Sequence, residues 1–184
     1  MMLEKVIQLR LKLEGSSPNI WRKILISDNI TFHKLHKILQ AAMGWQQSHW
    51  YSFEVDDVII EEKQSGIEPT PNAKSSKHIK ISKFDFQRKD QFLYTYDFSN
   101  NWAHHIIIEK VYDPQEVEDY PVCLDGKNHC PSEDIGGIDE YNYAIKVLNN
   151  PNHHRYEELK GWIDNFDPKL FSIEEVNELL KKIK

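Results

Sequence analysis

Three stretches of this 184-residue sequence hold most of the side chains that can do chemistry. Trp45, Ser48, His49 and Trp50 follow Gly44. Asp97, Trp102, His104 and His105 surround the run Ser99-Asn100-Asn101. Cys123, His129, Cys130, Glu133 and Asp134 lie in an acidic stretch. A histidine held by a carboxylate is the beginning of a general base or of a metal shell. If residues 92–98 and 102–111 pair as a hairpin, Asp97 and His104 approach each other. The plainer reading has Asp97 and the asparagines capping turn backbone, with His104 decorating a strand.

Cys123 and Cys130 are the only cysteines, with His129 beside the second. Thiolate and imidazole are zinc ligands, so Cys123 and Cys130 suggest zinc, with His104, His105 or an acid of the loop as further ligands. The spacing departs from the finger pattern, and two reduced thiols packed under a loop explain the residues as simply. No motif implies any other cofactor. Gly136-Gly137 precede a helix and could expose backbone N–H groups to an anion. Glu133 and Asp134 immediately before them repel one, so a cap or turn is expected there.

Charge narrows the partners. The net charge is −6, against the basic balance usual for proteins on a phosphate backbone. It is unevenly spread: residues 74–89 carry six Lys or Arg and the single acid Asp85, whereas residues 113–140 carry nine acids and the single base Lys127. The segment from Lys74 to Lys89, with Phe84 and Phe86 interleaved as stacking groups, is where nucleic acid would bind if it binds at all. No N-terminal stretch reads as a signal peptide, and no segment is long and apolar enough to cross a bilayer. With two cysteines and no disulfide framework, the expected location is the cytoplasm.

The elements that position these groups follow from periodicity. Residues 3–13 alternate, with Ile7, Leu9, Leu11 and Leu13 on one face, and Ile20 to Ile26 is a second strand after a turn. A helix runs from Thr31, its N-cap, to about Met43, where Gly44 stops it. Its apolar stripe is Phe32, Leu35, Ile38, Leu39 and Ala42, with His36 at the edge. Residues 50–55 and 58–60 are short strands about Asp56-Asp57, and 61–78 is an exposed loop. Phe92 to Phe98 and Trp102 to Val111 are further strands, followed by the acidic stretch 112–137. Helical faces follow: Tyr141, Ala144, Ile145 and Leu148; then Tyr156, Leu159, Trp162 and Ile163. The last helix opens on a capping box at Ser172 and should bury Ile173, Val176, Leu179, Leu180 and Ile183. The pattern is that of one α+β domain over residues 1–184. It implies a mixed sheet with the first helix packed across it in a grasp-like arrangement, and a C-terminal helical segment.

Five motifs, taken together, resemble one family. They are Ile20-Trp21-Arg22-Lys23; Leu35-His36 leading to Ala41-Ala42-Met43-Gly44-Trp45 and Ser48-His49; Tyr96-Asp97-Phe98 with Asn101-Trp102 and His104; Tyr120-Pro121-Val122-Cys123 with Cys130-Pro131-Ser132-Glu133-Asp134 and Gly136-Gly137; and Phe166-Asp167-Pro168 with Phe171. The chain thereby resembles the plasmid Ri open-reading-frame-3-like family over nearly its whole length. The resemblance implies a compact α+β domain found on plasmids and chromosomes, sometimes labelled a resolvase-like passenger of an insertion element. A serine recombinase needs several arginines around its nucleophile, and this chain has only Arg10, Arg22, Arg88 and Arg155. It departs from the family pattern at Ser99-Asn100, usually Gly-Asp, and at Ile135, a cysteine in some relatives.

No phosphate loop, nucleophile motif or dinucleotide fingerprint occurs. The expected function is therefore a non-enzymatic binding or interaction domain for a small molecule, peptide or protein, associated with mobile elements. The alternatives are a metal-assisted hydrolase using His49, Asp97, His104 and the Cys123–Cys130 loop, and a nucleic-acid-binding accessory protein. The candidate ligand cleft is Trp45, His49, Asp97, Trp102, His104 and Asp134. The three stretches should converge there, with His49, His104 and Asp134 within roughly 12 Å.

Overall fold

The structure is a computed structural model that describes residues 4–62, 68, 70–162 and 167–183. Ile163, Phe166 and the side chain of Trp162, read above as parts of a helical face and a motif, lie outside the described residues, as does Leu3.

Eight strands form one sheet: β1 (Val6–Leu13), β2 (Trp21–Ser27), β3 (Tyr51–Val55), β4 (Val58–Glu61), β5 (Lys74–Ser75), β6 (Gln91–Tyr96), β7 (Trp102–Tyr112) and β8 (Val122–Lys127). Their order is β5-β4-β3-β6-β7-β1-β2-β8. Every pairing is antiparallel except β4 with β5 at one edge, which makes the sheet mixed. Four α-helices among the described residues complete the α+β fold: α1 (Phe32–Met43), α2 (Ile138–Leu148), α3 (Tyr156–Trp162) and α4 (Ile173–Leu180).

Alternation sorts the two faces of the sheet. Leu9, Leu11 and Leu13 are buried, while Gln8 and Arg10 emerge on the other face and donate to Glu109 of β7. On the buried face lies α1, the helix expected to cross the sheet. Its Phe32 packs edge-on against Phe53 of β3 and Phe92 of β6. His36 and Gln40 both bond the Tyr94 hydroxyl of β6. Thr31 caps α1 by accepting from the Lys34 N–H, and α4 contacts both α1 and β8.

Several expectations are corrected. Residues 61–78 are not one exposed loop: Glu61 ends β4, Lys74–Ser75 is β5, and Ser76 is fully buried. The acidic stretch contains a further strand, β8, although Val-Cys-Leu-Asp-Gly-Lys has no clean alternation. It forms because β2 would otherwise leave its ladder groups unpaired, and the pairing shifts register at Lys23/Ile24. In α4 only Val176 and Leu180 are buried; Leu179 is 39 % exposed and Ile183 lies beyond the helix. Ser172 accepts from the Glu175 N–H, the first half of the capping box. Phe86 is buried, and Phe84 packs edge-on against Phe32, so the pair belongs to the core and is no stacking platform for bases.

Candidate functional site

The end of α1 sets the first wall. Gly44 has φ 78°, and its N–H bonds the Ala41 carbonyl, while the Trp45 N–H bonds Gln40. This pair of bonds is a Schellman motif. It turns the chain back so that Trp45 is tucked inside, stacked on Tyr96 with ring centroids 5.4 Å apart. The Trp45 indole N–H donates to the Pro131 carbonyl at 2.9 Å, tying the turn to the acidic loop.

The second wall is the β6–β7 turn. Asp97 is 3 % exposed and has φ 53°. Its carboxylate accepts from the Ser99 N–H at 3.0 Å and the Asn100 side-chain amide at 2.7 Å. Short polar side chains commonly satisfy tight turns this way, so the plainer reading of Asp97 describes its hydrogen bonds.

The third wall is the loop from Asn128 to Gly137, and its centre is Glu133, buried at 7 % exposure. One carboxylate oxygen accepts from the Gln46 N–H at 2.9 Å, the other from the Tyr96 hydroxyl at 2.5 Å. Its backbone carbonyl accepts from the Trp102 indole at 3.1 Å and the Asn100 amide at 3.3 Å. Burial, and next the Glu133 carboxylate, push the Tyr96 hydroxyl above its usual range, which keeps it a proton donor. Tyr96 in turn accepts from the Ser48 and His49 N–H groups. Glu133 thus connects all three walls.

Against this geometry the selected residues separate into two groups. His49, Asp97 and Asp134 meet: the His49 Nε2 lies 3.9 Å from Asp97 and 4.0 Å from Asp134, whose side chain is 83 % exposed. Trp45, Trp102 and His104 are core. His104 pairs across the ladder with Tyr94 and packs 5.4 Å from Trp45, so the expected approach to Asp97 does not occur. Strand parity turns its ring into the sheet's buried face. Both His104 ring nitrogens are buried without a hydrogen-bond partner. Burial lowers its pKa to about 4, against an opposing contribution from the Tyr94 and Trp102 backbone.

The zinc set also comes apart. The Cys123 thiol donates to the Asp125 carbonyl at 3.4 Å, whereas the Cys130 sulfur accepts from Arg22 at 3.1 Å and lies 3.5 Å from the Met43 sulfur. Burial raises both thiol pKa values, that of Cys130 to about 11. Among the described residues no three His, Cys, Asp or Glu side chains are placed to hold a metal ion.

Arg22, quoted above only as part of a motif, proves central. Its side chain donates to the carbonyls of Ala42, Trp21, Lys127 and Asn128 and to Cys130, which occupies all five N–H donors. These acceptors are neutral, and one is a C-terminal carbonyl of α1, where the helix dipole is negative. Phe171 covers the guanidinium at 4.3 Å. A second missed group is the inward tyrosine pair of β6. Their parity was readable, and a buried tyrosine requires a hydroxyl partner, which would have directed attention to Gln40 and Glu133.

Between the first and third walls and α4 opens a cleft of about 430 Å³. Arg22, Cys130 and Trp45 are among its lining groups, and Leu170, Phe171, Val176 and Leu179 supply apolar surface. Ser48, Glu133, Asp134 and Glu175 add polar groups. His49, Asp97, Trp102 and His104 are not among its lining residues. A cleft of about 460 Å³ between α2 and α3 is lined by Arg155 and Glu158, which satisfy each other.

Known proteins are similar to this chain. A curated protein of Sinorhizobium fredii, the uncharacterized protein y4hQ, is 32% identical over 168 residues, covering 90% of this chain and 84% of the relative. The crystal structure of a protein of unknown function, MM3350 from Methanosarcina mazei Go1, superposes with a TM-score of 0.83 at 34% identity, covering 95% of this chain and 98% of that one. The family model described as plasmid pRiA4b ORF-3-like protein matches residues 5–175, and the chain belongs to that family.

Proposed function

We propose that the chain is a non-enzymatic binding domain whose ligand occupies the cleft between the end of α1, the 128–134 loop and α4. The observation that carries this reading is the cleft itself. Its volume is that of an ordinary ligand pocket, and its lining is set by Arg22, Trp45 and Glu133, each locked by hydrogen bonds. Exposed Leu170 and Leu179 remain at its border. Preorganised walls with unfilled apolar surface suit recognition. We place the domain in the cytoplasm on the strength of its two unpaired, buried cysteines. Its association with mobile elements rests on the plasmid origin in the family's description.

Apolar fragment screening by NMR tests this reading. Fragments should shift the Trp45 indole resonance in the native protein and leave it unmoved in Leu179→Arg, which puts a charged chain at the cleft wall. If the fragments bind elsewhere, or nowhere, the cleft is structural. Elemental analysis of untagged protein provides a second arm: about one metal ion per chain would replace this reading with the metal-assisted hydrolase.

A further inference from the structure

Resting on that cleft reading, we infer that the ligand is a peptide segment in which apolar side chains alternate with lysine or arginine. The first observation is electrostatic. Among the described residues lining the cleft, Arg22 is the only Lys or Arg, and all five of its donors are engaged. It is buried at 3 % exposure, so it offers nothing to an anion. The charged groups at the rim are the carboxylates of exposed Asp134 and Glu175. Asp134 and Glu175 give this rim a negative field that attracts cations.

A second observation concerns apolar surface. Five large apolar side chains are exposed among the described residues: Trp50, Phe98, Leu124, Leu170 and Leu179. Two of them, Leu170 and Leu179, line the cleft. Two others, Trp50 and Phe98, follow His49 and Asp97 in the chain, and the Asp97 N–H donates to the Trp50 carbonyl at 2.8 Å. His49 links that tip to the cleft, 4.0 Å from Asp134. Four of the five therefore belong to the cleft or to the loop tip beside it. Apolar anchors interspersed with carboxylates match an extended peptide carrying apolar and cationic side chains in turn, with the aromatics available to the cations.

The test titrates the intact protein with an acetylated, amidated pentapeptide of leucine alternating with lysine and arginine, and with its twin carrying glutamate in place of both bases. Amide NMR reads the Trp45 indole and the residues 128–134. The basic peptide should shift these resonances, and its Kd should rise about three- to tenfold in the double variant Asp134→Asn/Glu175→Gln. Its Kd should also rise between about 50 mM and about 500 mM salt, while the acidic twin leaves the spectrum unchanged. Both substituted residues are exposed, and an unchanged melting temperature confirms the variant's fold. If both peptides bind alike and salt has no effect, the cationic preference is wrong and the cleft reading survives. If neither binds while apolar fragments still do, the peptide inference is overturned. If self-association seen by sedimentation disappears in the double variant, a second copy occupies the cleft and the inference again fails.

Discussion

The Tyr96 hydroxyl donates a 2.5 Å hydrogen bond to Glu133, a residue 37 positions along the chain. Both are buried, one on β6 and the other in the loop before α2. Because Glu133 also accepts from the Gln46 N–H, loss of this carboxylate strands a hydroxyl and a backbone donor together. Glu133→Ala should cost about 3–5 kcal/mol and Glu133→Gln about 1–3 kcal/mol, since an amide keeps one acceptor. Urea unfolding measures both; equal losses in the two variants would mean that the contribution is packing.

His104 predicts the opposite. Neither ring nitrogen has a partner, so the native residue already bears the desolvation cost of a buried polar group. His104→Leu should be neutral or stabilising by about 1 kcal/mol at neutral pH. A loss above about 2 kcal/mol would reveal a hydrogen bond that the substitution broke.

Acid should unfold the domain early. Burial, then the charges of His33 and Lys37, hold the His36 pKa at about 3, and burial holds His104 at about 4. An unfolded imidazole titrates near 6.5. Between these values the unfolded chain binds more protons, so stability is present above pH about 6.5 and lost as pH falls towards about 4. Each histidine contributes at most about 1.4 kcal/mol per pH unit. His104→Leu should remove roughly half of that slope in urea midpoints measured from pH about 6.5 to about 4.5. The geometry agrees with a neutral His36: Gln40 donates to the Tyr94 hydroxyl, which leaves that hydroxyl's own proton for the His36 Nδ1 at 2.8 Å.

Arg22→Lys should destabilise by about 2–4 kcal/mol, because an ammonium cannot reproduce the five-donor fork and leaves buried carbonyls unpaired. Arg22→Met should cost at least as much. If lysine restores full stability, the guanidinium geometry is unimportant.

Two glycines differ in what they tolerate. A Cβ on Gly137, where φ is 95°, would meet the Asn100 carbonyl at 2.7 Å. Gly137→Ala should therefore push the β6–β7 turn off α2 and cost about 2–4 kcal/mol. Gly44 has φ 78° with nothing within 4 Å, so Gly44→Ala should cost only the left-handed strain, about 1 kcal/mol. Thermal unfolding of both variants checks the difference.

Local patterns in the chain were enough for β1, β2, α1, the β6–β7 hairpin, the Thr31 and Gly44 caps and the α+β class, because periodicity and capping act over a few residues. The meeting of His49 with Asp97 and Asp134 was approachable from sequence, since each sits at the end of an element. Strand parity groups His104 with Trp102 and Ile106 but does not say which face of the sheet is covered. Only the packed sheet shows the side it faces. What the tertiary structure decided is the identity of the organising residues. In the sequence Glu133 reads as a carboxylate that repels anions from a turn, and Arg22 as one member of a motif. Their roles depend on partners up to 108 positions away. A buried charge is stable only where distant segments bring it donors or acceptors, and no local pattern records which segments those are.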